Sequence, residues 1–492
     1  MTEVVSIRPL LAVAVSALAV PAIASARSAN VREAWSFAAA IVKFAIVLSM
    51  LGVVMKGGVV VWKGWEVLPG IAIAFRVDAL GMVFALVASG LWIATTAYSI
   101  GYMRTLEEHS QTRYYCFFAL ALCSTLGVAF AANLLTLYLF YELLSLATYP
   151  LVTHHQDGEA RLAGRKYLAY IMGSSIGFVL PAMVVVYLLT GTLDFTSGGV
   201  LAGKIGTFGA AVITLAFLFG FAKAAVMPFH PWLPAAMVAP TPVSALLHAV
   251  AVVKVGAFSI VRVMGGIVGL GFMKHLGLST VVAAIASVTV LTASLIALTQ
   301  DGLKRRLAFS TISQLSYIVL GVGLATPKAL TGALLHIAMH ALGKITLFFC
   351  AGAIFVATGK AYISEMVGIG RRMPVTMAAF FVGALGVIGL PPAGGFLSKW
   401  YLLLGTLEAH SAIFLFVLLA SSLLNAAYFL PIVYRAFFVR PAESSFPEGV
   451  KEAPMWCVVP LVTTAAISVV LLLWPGPIMD LAKAGARWLL GG

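Results

Sequence analysis

Long apolar runs without a charge are the feature that most restricts how this 492-residue chain can fold. Each run is about 20 residues long, which is the length that an α-helix needs to cross the hydrocarbon core of a bilayer. Only 10% of the residues are charged, whereas a soluble domain averages about a quarter. So few charged side chains cannot cover the surface of a soluble globule of this size. The sequence therefore predicts an all-α, polytopic membrane protein.

Fourteen candidate spans follow one another along the chain. The first resembles a secretory signal, but its length and the span that follows at once favour a retained helix. Lysines and arginines concentrate in the loops of one side, so the positive-inside rule predicts that both termini face outward. The predicted spans cover residues 9–26, 35–55, 79–103, 114–131, 133–152, 165–190, 206–227, 241–261, 278–300, 307–325, 329–356, 375–401, 409–434 and 455–475.

Several classes of function are disfavoured by what the sequence contains. The four cysteines lie singly in apolar stretches, which predicts neither an iron–sulfur cluster nor a zinc site. No P-loop is present and no GxGxxG follows a strand, so we expect no nucleotide cofactor. The net charge of +14 would suggest nucleic acid in a soluble protein, but a membrane protein carries such an excess in its cytoplasmic loops. We therefore expect no nucleic-acid partner.

Six ionisable residues lie inside the predicted spans, where each costs about 2.5–3.5 kcal/mol to insert. Lys43 lies near one end of its span, and we expect its ammonium group to snorkel to the interface. Lysine can gain and lose a proton when it is buried, whereas arginine stays charged and suits static ion pairs. Buried lysines without a buried arginine favour a proton relay, whose candidate members are Glu142, Lys223, Lys254, Lys344 and Lys399.

Two proline-rich segments, 227–234 and 389–396, must interrupt predicted helices. They lie five spans apart, and irregular backbone at membrane depth is tolerated only inside protein or beside a water-filled cavity. Two interrupted helices at matching positions predict two inverted five-helix repeats with a transport path at the breaks. Two unrelated proline kinks remain the alternative. The prolines concerned are Pro228, Pro231, Pro234, Pro391 and Pro392.

Histidines accompany the lysines of the spans. His336, His340 and Lys344 are spaced four apart, so they form one polar stripe on an α-helix. His248 and Lys254 share the span that follows the first break. Protonatable groups in hydrocarbon at this spacing favour a proton wire. Metal ligation by the same histidines is a weaker alternative, because no carboxylate or cysteine stands at ligand spacing.

Seven segments carry a recognisable combination of motifs. They read LFYELLSLATYPL (139–151), AKAAVMPFHPWLP (222–234), APTPVSALLHA (239–249), KVGAF (254–258), LKRRLAFSTISQ (303–314), HALGKITLF (340–348) and GLPPAGGFLSK (389–399). Together they resemble the antiporter-like proton-channel subunits of respiratory complex I and of Mrp-type cation/proton antiporters. The resemblance extends from about residue 78 to about residue 440 and implies fourteen helices, with spans 4–8 and 9–13 as inverted repeats.

The resemblance also implies roles for individual residues. Glu142 on span 5 would pair with Lys223 on span 7, Lys254 would be the central lysine of span 8, and Lys399 would be the proton-exit group. Some complex I members have glutamate at that last position, so lysine argues against their branch. The length is similar to that of the D-type subunit of Mrp antiporters. The predicted units are 1–113 (helices 1–3), 114–270 and 271–440 (the two repeats), and 441–492 (the last span and a short tail).

We therefore predict a proton-translocating subunit, most like the D-type subunit of an Mrp cation/proton antiporter, in the cell membrane. Its partners would be other membrane subunits and the lipid bilayer. It would transport H⁺, with Na⁺ or K⁺ as open alternatives, and it would hold no cofactor. A first alternative is a proton-pumping subunit of an NADH:quinone oxidoreductase or a membrane-bound hydrogenase. A stand-alone secondary transporter and a non-conducting anchor are the others. No redox or hydrolytic chemistry is expected in this chain.

Overall fold

The computed structural model describes residues 2–440 and 449–492, which are predominantly helical. In the first half the apolar runs form α1 (Arg8–Ala24), α2 (Ala29–Met55), α3 (Ala79–Thr105), α4 (Gln111–Ala129), α5 (Leu134–Val152), α6 (Gly158–Ser174), α7 (Leu180–Thr190), α8 (Thr207–Gly220), α9 (Trp232–Ala235), α10 (Thr241–Ala249), α11 (Val252–Val263) and α12 (Leu270–His275). A π-helical turn, Ser175–Val179, joins α6 to α7, and a second one, Met264–Val268, follows α11.

The second half contains longer uninterrupted helices. They are α13 (Leu278–Thr299), α14 (Leu303–Leu324), α15 (Pro327–Thr358), α16 (Pro374–Ile388), α17 (Gly395–Glu408), α18 (Ala412–Phe438), α19 (Met455–Leu473) and α20 (Gly476–Leu489), with 3₁₀ turns at Ile363–Met366 and Ile369–Arg371. The last helix follows the fourteenth predicted span and is amphipathic, because it buries Ile478, Leu481 and Trp488 and keeps Lys483 outside. It packs against α3 and α15.

Each predicted span overlaps a helix, although spans 206–227 and 375–401 also include residues of the two breaks. The protein is a multi-pass membrane protein. Among the described residues, ten helices are long and apolar enough to cross a bilayer, counting α6 and α7 as one. Three shorter apolar helices, α1, α8 and α16, add to them. The exact number of fourteen and the division into four units stay predictions.

A small three-stranded sheet accompanies the helices and is absent from the sequence predictions. Its strands are β1 (Glu3–Val5), β2 (Val59–Leu68) and β3 (Ile71–Val77). β1 pairs in parallel with β2, and β2 pairs antiparallel with β3 across the Pro69–Gly70 turn. Valine and isoleucine recur through these short segments, and such β-branched side chains favour strands. The sheet is only an addition to a predominantly helical fold.

Both helix breaks lie where the prolines predict them. In the first, α8 ends at Gly220 and is followed by a 3₁₀ turn over Ala222–Ala224, the short α9 and another 3₁₀ turn over Ala236–Val238. In the second, α16 ends at Ile388 and α17 starts at Gly395. Lys223 lies within the first break, and Lys399 lies on the first turn and a half of α17.

The centre of the molecule is formed by α14 and α15. The apolar stretch of α14 that could cross the bilayer is wholly buried, and α15 packs against α3, α10, α14, α16, α17, α19 and α20. A helix surrounded in this way has no lipid-facing side on which to place polar groups. The polar side chains of α15 therefore point into the protein, where they can meet those of neighbouring helices.

Candidate functional site

Buried polar side chains of α11 and α15 meet at the centre of the protein. Lys254 Nζ is hydrogen-bonded to His340 Nδ1 at 2.5 Å. The ring of His340 stacks on that of His336, one helical turn away, with ring centres 5.5 Å apart. All three side chains are almost completely inaccessible to solvent. The four-residue spacing on α15 thus gives the contact between the two imidazoles that the sequence predicts.

Tyr317 of α14 continues this contact toward α17. Its ring stacks on His336, with 5.6 Å between ring centres, and its hydroxyl accepts a hydrogen bond from Lys399 Nζ at 3.4 Å. The ammonium group also lies 4.6 Å from the centre of the tyrosine ring. Five buried side chains therefore follow one another from α11 to α17. We call them the central line: Lys254, His340, His336, Tyr317 and Lys399.

The second break holds the end of the central line in place. Lys399 Nζ donates to the carbonyl of Ile388, the last residue of α16, at 3.1 Å. Ser398 Oγ is 2.9 Å from His336 Nδ1. Gly389 has φ +91°, and a Cβ there would lie 2.5 Å from Lys399 Cδ. The glycine therefore permits both the left-handed turn and the passage of the lysine side chain.

The ammonium group of Lys344 makes no described hydrogen bond to the central line, although Lys344 shares the predicted stripe. Its Nζ donates to the carbonyl of Leu307 at 3.1 Å and lies 5.5 Å from the ring centre of Phe429. Within that stripe, the described ring contact is the one between His336 and His340. His336 Nε2 and His340 Nε2 are buried and have no hydrogen-bond partner among the described residues.

The first break binds its lysine in a different way. Lys223 Nζ donates to the carbonyl of Tyr141 at 2.8 Å and to Ser145 Oγ at 2.6 Å. It also lies 3.2 Å from the centre of the Tyr141 ring. Both partners belong to α5, the helix that carries Glu142. Two residues of the sequence motif at 139–151 thus hold this part of α5 beside the break.

Glu142 and Lys223 are not in direct contact. No nitrogen–oxygen distance between them is within 4.0 Å, the limit for an ion pair. Both carboxylate oxygens of Glu142 are buried and lack a hydrogen-bond partner in the described part of the chain. The pair that the resemblance implies is therefore present as neighbours, with the lysine turned to a main-chain carbonyl and a serine.

Helix α11 packs tightly on the first break. A Cβ at Gly256 would lie 2.1 Å from Ala224 N and 2.4 Å from the carbonyl carbon of Lys223. This approach places Lys254, two residues earlier, close to the break in the fold. The described hydrogen bonds of Lys223 go to α5 and do not reach Lys254. His248 belongs to α10, but its side chain lies outside the described residues.

Two sequence predictions about buried cations are wrong. Lys43 does not snorkel, because its side chain is fully buried and Nζ donates to the carbonyl of Leu122 at 3.0 Å. A buried arginine also exists, since Arg262 is 2% exposed and binds both oxygens of Asp78 at 2.5 and 2.9 Å. The predicted span ends at residue 261 and leaves Arg262 in a loop, but α11 and its π-helical turn continue past it.

Three polar residues of the site are missing from the sequence predictions: Ser145, Tyr317 and Ser398. Ser145 and Ser398 lie within two of the quoted motifs, and Tyr317 follows a third by three residues. Their spacing from the charged residues is a signal that could have identified them. Serine and tyrosine are nevertheless common in membrane helices, and serine often bonds to its own helix backbone there. Only the packing of α5, α14 and α17 distinguishes these three from the rest.

The chain is similar to known proteins over most of its length. Residues 131–425 match the family described as NADH:quinone oxidoreductase/Mrp antiporter, TM. NADH-quinone oxidoreductase subunit N of Desulforudis audaxviator (strain MP104C) is 36% identical over 426 residues, which cover 83% of each chain. Na⁺/H⁺ antiporter subunit A1 of Staphylococcus haemolyticus (strain JCSC1435) is 30% identical over 466 residues. That match covers 89% of this chain and 57% of the longer relative.

Solved structures share the fold almost from end to end. A chain of the Mrp complex from Dietzia sp. DQ12-45-1b superposes with a TM-score of 0.86 at 22% identity, covering 99% of this chain and 98% of that one. A chain of the membrane-bound sulfane sulfur reductase, an archaeal respiratory membrane complex, superposes with a TM-score of 0.85 at 24% identity, with the same coverage of both chains.

Proposed function

Because this chain belongs to the NADH:quinone oxidoreductase/Mrp antiporter transmembrane family, we propose that it is a proton-translocating membrane subunit of a multisubunit cation/proton antiporter. Its transported ion is H⁺, exchanged against Na⁺ or K⁺ by the assembly, and its branch is that of the D-type Mrp subunits. Its other partners are the membrane subunits of the same complex. We place it in the cell membrane with both termini on the outer side, as the loop charges predict.

The central line is the observation that carries this proposal. Its five side chains are buried, each can bind or release a proton, and each lies within contact or stacking distance of the next. Charged groups in a membrane interior are expensive and commonly mark ion pathways. A static structural role would be served better by ion pairs, yet this line consists of lysines, histidines and a tyrosine and contains no acid. A route for protons explains that composition.

The first break supplies the element that can switch. Lys223 is bound to a carbonyl and a serine of α5, while Glu142 on the same helix has unpartnered oxygens among the described residues. A nearby carboxylate stabilises the charged form of an amine. Movement of the ammonium group toward Glu142 therefore favours proton retention, and movement back toward Tyr141 favours release. Lys344 and His248 complete the candidate relay as the sequence predicts it.

The test compares two buried lysines that differ in their place. Lys254→Met removes the first member of the central line, whereas Lys43→Met removes a fully buried lysine that donates to Leu122 instead. Both variants are assembled with their partner subunits, reconstituted into vesicles and assayed for proton flux with a pH-sensitive dye. We expect Lys254→Met to lose at least about nine-tenths of the flux, about 1.4 kcal/mol or more on the barrier. Lys43→Met should retain most of it.

Either of two outcomes would contradict the proposal. Normal flux in assembled Lys254→Met would exclude the central line as the route. Equal loss in both variants would show that removing any buried lysine damages the fold, and that the central line has no special part.

A second candidate function is favoured by the relative from Desulforudis audaxviator, which is a subunit of an NADH-quinone oxidoreductase. In that case the same central line would serve a redox-driven pump of the quinone oxidoreductase or hydrogenase kind. The purified native assembly distinguishes the two functions. Flavin or iron–sulfur absorbance in stoichiometric amounts would favour the redox-driven pump, and its absence together with Na⁺- or K⁺-dependent flux would favour the antiporter.

A further inference from the structure

A cluster of histidine and glutamate side chains lies away from the central line, where two loops meet. The α3–α4 loop contributes Glu108 and His109, and the α5–α6 loop contributes His154 and His155. Glu108 Oε2 is the common neighbour, at 3.7 Å from His154 Nε2, 3.8 Å from His155 Nδ1 and 4.0 Å from His109 Nδ1. The centres of the three rings are 4.7 to 6.0 Å apart.

His154 is buried without the partners that a buried imidazole normally has. Its side chain is 0% exposed, and neither ring nitrogen has a hydrogen-bond partner among the described residues. Nearly all buried polar atoms in proteins are paired. Nε2 faces the carboxylate of Glu108 at 3.7 Å, which is too long for a hydrogen bond. An ion between the two groups would give the buried imidazole a partner.

His109 is oriented as a metal ligand would be. Its Nε2 lies 3.0 Å from the main-chain carbonyl of His154. A carbonyl only accepts, so Nε2 carries the hydrogen and, in the neutral ring, Nδ1 keeps its lone pair. That Nδ1 is the atom that faces Glu108. Metal-bound histidines usually donate their other ring hydrogen to a carbonyl or carboxylate in this way.

The spacing of the candidate ligand atoms fits a small cation. The ligand atoms of Glu108, His109 and His154 all lie within 4.8 Å of one another. Around tetrahedral Zn²⁺, ligands at about 2.0–2.2 Å stand about 3.3 Å apart, so movements of less than about 1 Å would close the site. Imidazole nitrogen with one carboxylate suits Zn²⁺ and its neighbours better than Mg²⁺ or Ca²⁺.

The surroundings leave these ligand atoms available. Arg113 donates to the carbonyl of His154 at 2.7 Å and makes no described hydrogen bond to Glu108. His109 is 50% exposed and His155 34%, so an ion can enter from solvent.

We propose that Glu108, His109 and His154 bind a divalent transition-metal ion of the Zn²⁺ class, with His155 within reach as a fourth ligand. The ion ties the α3–α4 loop to the end of α5, the helix that carries Glu142. This differs from the sequence prediction of no metal site. That prediction considers cysteines and the histidines of the spans, whereas the ligands here come from two loops 45 residues apart.

The experiment measures metal bound to the detergent-purified native assembly. The assembly is stripped with EDTA, incubated with ZnCl₂ in the presence of excess Mg²⁺, gel-filtered and analysed for zinc by mass spectrometry. Co²⁺ is the spectroscopic probe, because its visible band reports tetrahedral nitrogen and oxygen ligands. The variants are His154→Gln and His109→Ala, and the matched controls are His275→Gln and His410→Gln, which change exposed histidines elsewhere.

We expect one zinc per chain to be lost in His154→Gln, and His109→Ala to bind at least about ten-fold more weakly. Both controls should bind as much zinc as the parent, and the intensity of the Co²⁺ band should change in parallel with the zinc content. Because His109 is half exposed, its variant is expected to fold even where His154→Gln does not. Zinc content and Co²⁺ spectra that are the same in the parent, His109→Ala and the controls would overturn the proposal.

Discussion

The two broken helices use lysine in different surroundings, and the difference indicates what each can do. Lys223 in the first break lies near Glu142, whose carboxylate oxygens have no hydrogen-bond partner among the described residues. The ammonium group of Lys223 nevertheless donates to the carbonyl of Tyr141 and to Ser145 Oγ. The described hydrogen-bond partners of Lys399, which follows the second break on α17, are neutral: Tyr317, Ile388 and Ser422. Only the first lysine has both a carboxylate and an alternative partner close by in the described part of the chain. In the proposed function, the first break is therefore the element that switches, and the second is where the route ends.

The largest effect that separates the two breaks is expected from Glu142→Gln. This change removes the charge toward which Lys223 can move, so proton flux in the reconstituted assembly should fall about ten-fold or more. Glu142→Asp keeps the charge with a shorter reach and should retain part of the flux. The measurement is dye-monitored flux at equal protein content.

Stability provides the control for the same variant. An ion pair in contact would cost about 3–5 kcal/mol when broken, but Glu142 has no described partner to lose. Glu142→Gln should therefore leave the thermal unfolding midpoint unchanged or raise it. A large drop in that midpoint would mean that Glu142 and Lys223 form an ion pair in contact. Proton flux equal to that of the parent would mean that the first break does not switch.

A smaller effect on flux, but a clear one on stability, is expected from Gly256→Ala. The added Cβ would lie 2.1 Å from Ala224 N, so α11 must move away from the first break. Overpacking of this kind costs about 1–3 kcal/mol. Gly389→Ala is the matched change at the second break, where the Cβ would meet the flexible Lys399 side chain but would also require a left-handed backbone. Thermal unfolding of both variants should show that Gly256→Ala is the more damaging, and the reverse order would count against the tight packing of α11.

The smallest expected effect is that of Ser145→Ala. Lys223 loses one hydrogen bond at 2.6 Å and keeps the carbonyl of Tyr141. Such a bond contributes about 0.5–1.5 kcal/mol, so its loss should shift Lys223 toward Glu142 and change the flux by less than about ten-fold. Ser422→Ala is the corresponding change at Lys399 and should have no comparable effect on the proton flux. Equal responses of the two variants in the flux assay would remove the distinction between the breaks.

Much of this arrangement can be predicted from the sequence, because bilayer spans and proline breaks leave strong signals. The spans overlap helices, the breaks lie at Pro228–Pro234 and Pro391–Pro392, and the family resemblance is confirmed. The spacing of His336 and His340 also predicts their contact. These features depend on local composition and helical periodicity, which a single chain displays directly.

The remaining features depend on distant residues that meet only in the folded chain. Tyr317 joins His336 to Lys399 across two helices, and nothing in its local sequence marks it. Lys43 is expected at the interface from its place in the span, but Leu122 of another helix holds it inside. Arg262 is assigned to a loop because the predicted span ends at residue 261, and its partner, Asp78, lies 184 residues away. Partners at such separations cannot be identified from periodicity.

The central claim is that protons follow the central line, and Tyr317→Phe tests it most directly. This change keeps the ring that stacks on His336 and removes only the hydroxyl that accepts from Lys399. Tyr98→Phe is the matched control, because Tyr98 is equally buried and does not belong to the central line. Its hydroxyl donates a hydrogen bond of 2.8 Å to the carbonyl of Phe349. We predict that flux in assembled vesicles falls several-fold in Tyr317→Phe and stays near the parent value in Tyr98→Phe. Parental flux in Tyr317→Phe would contradict the central line as the route.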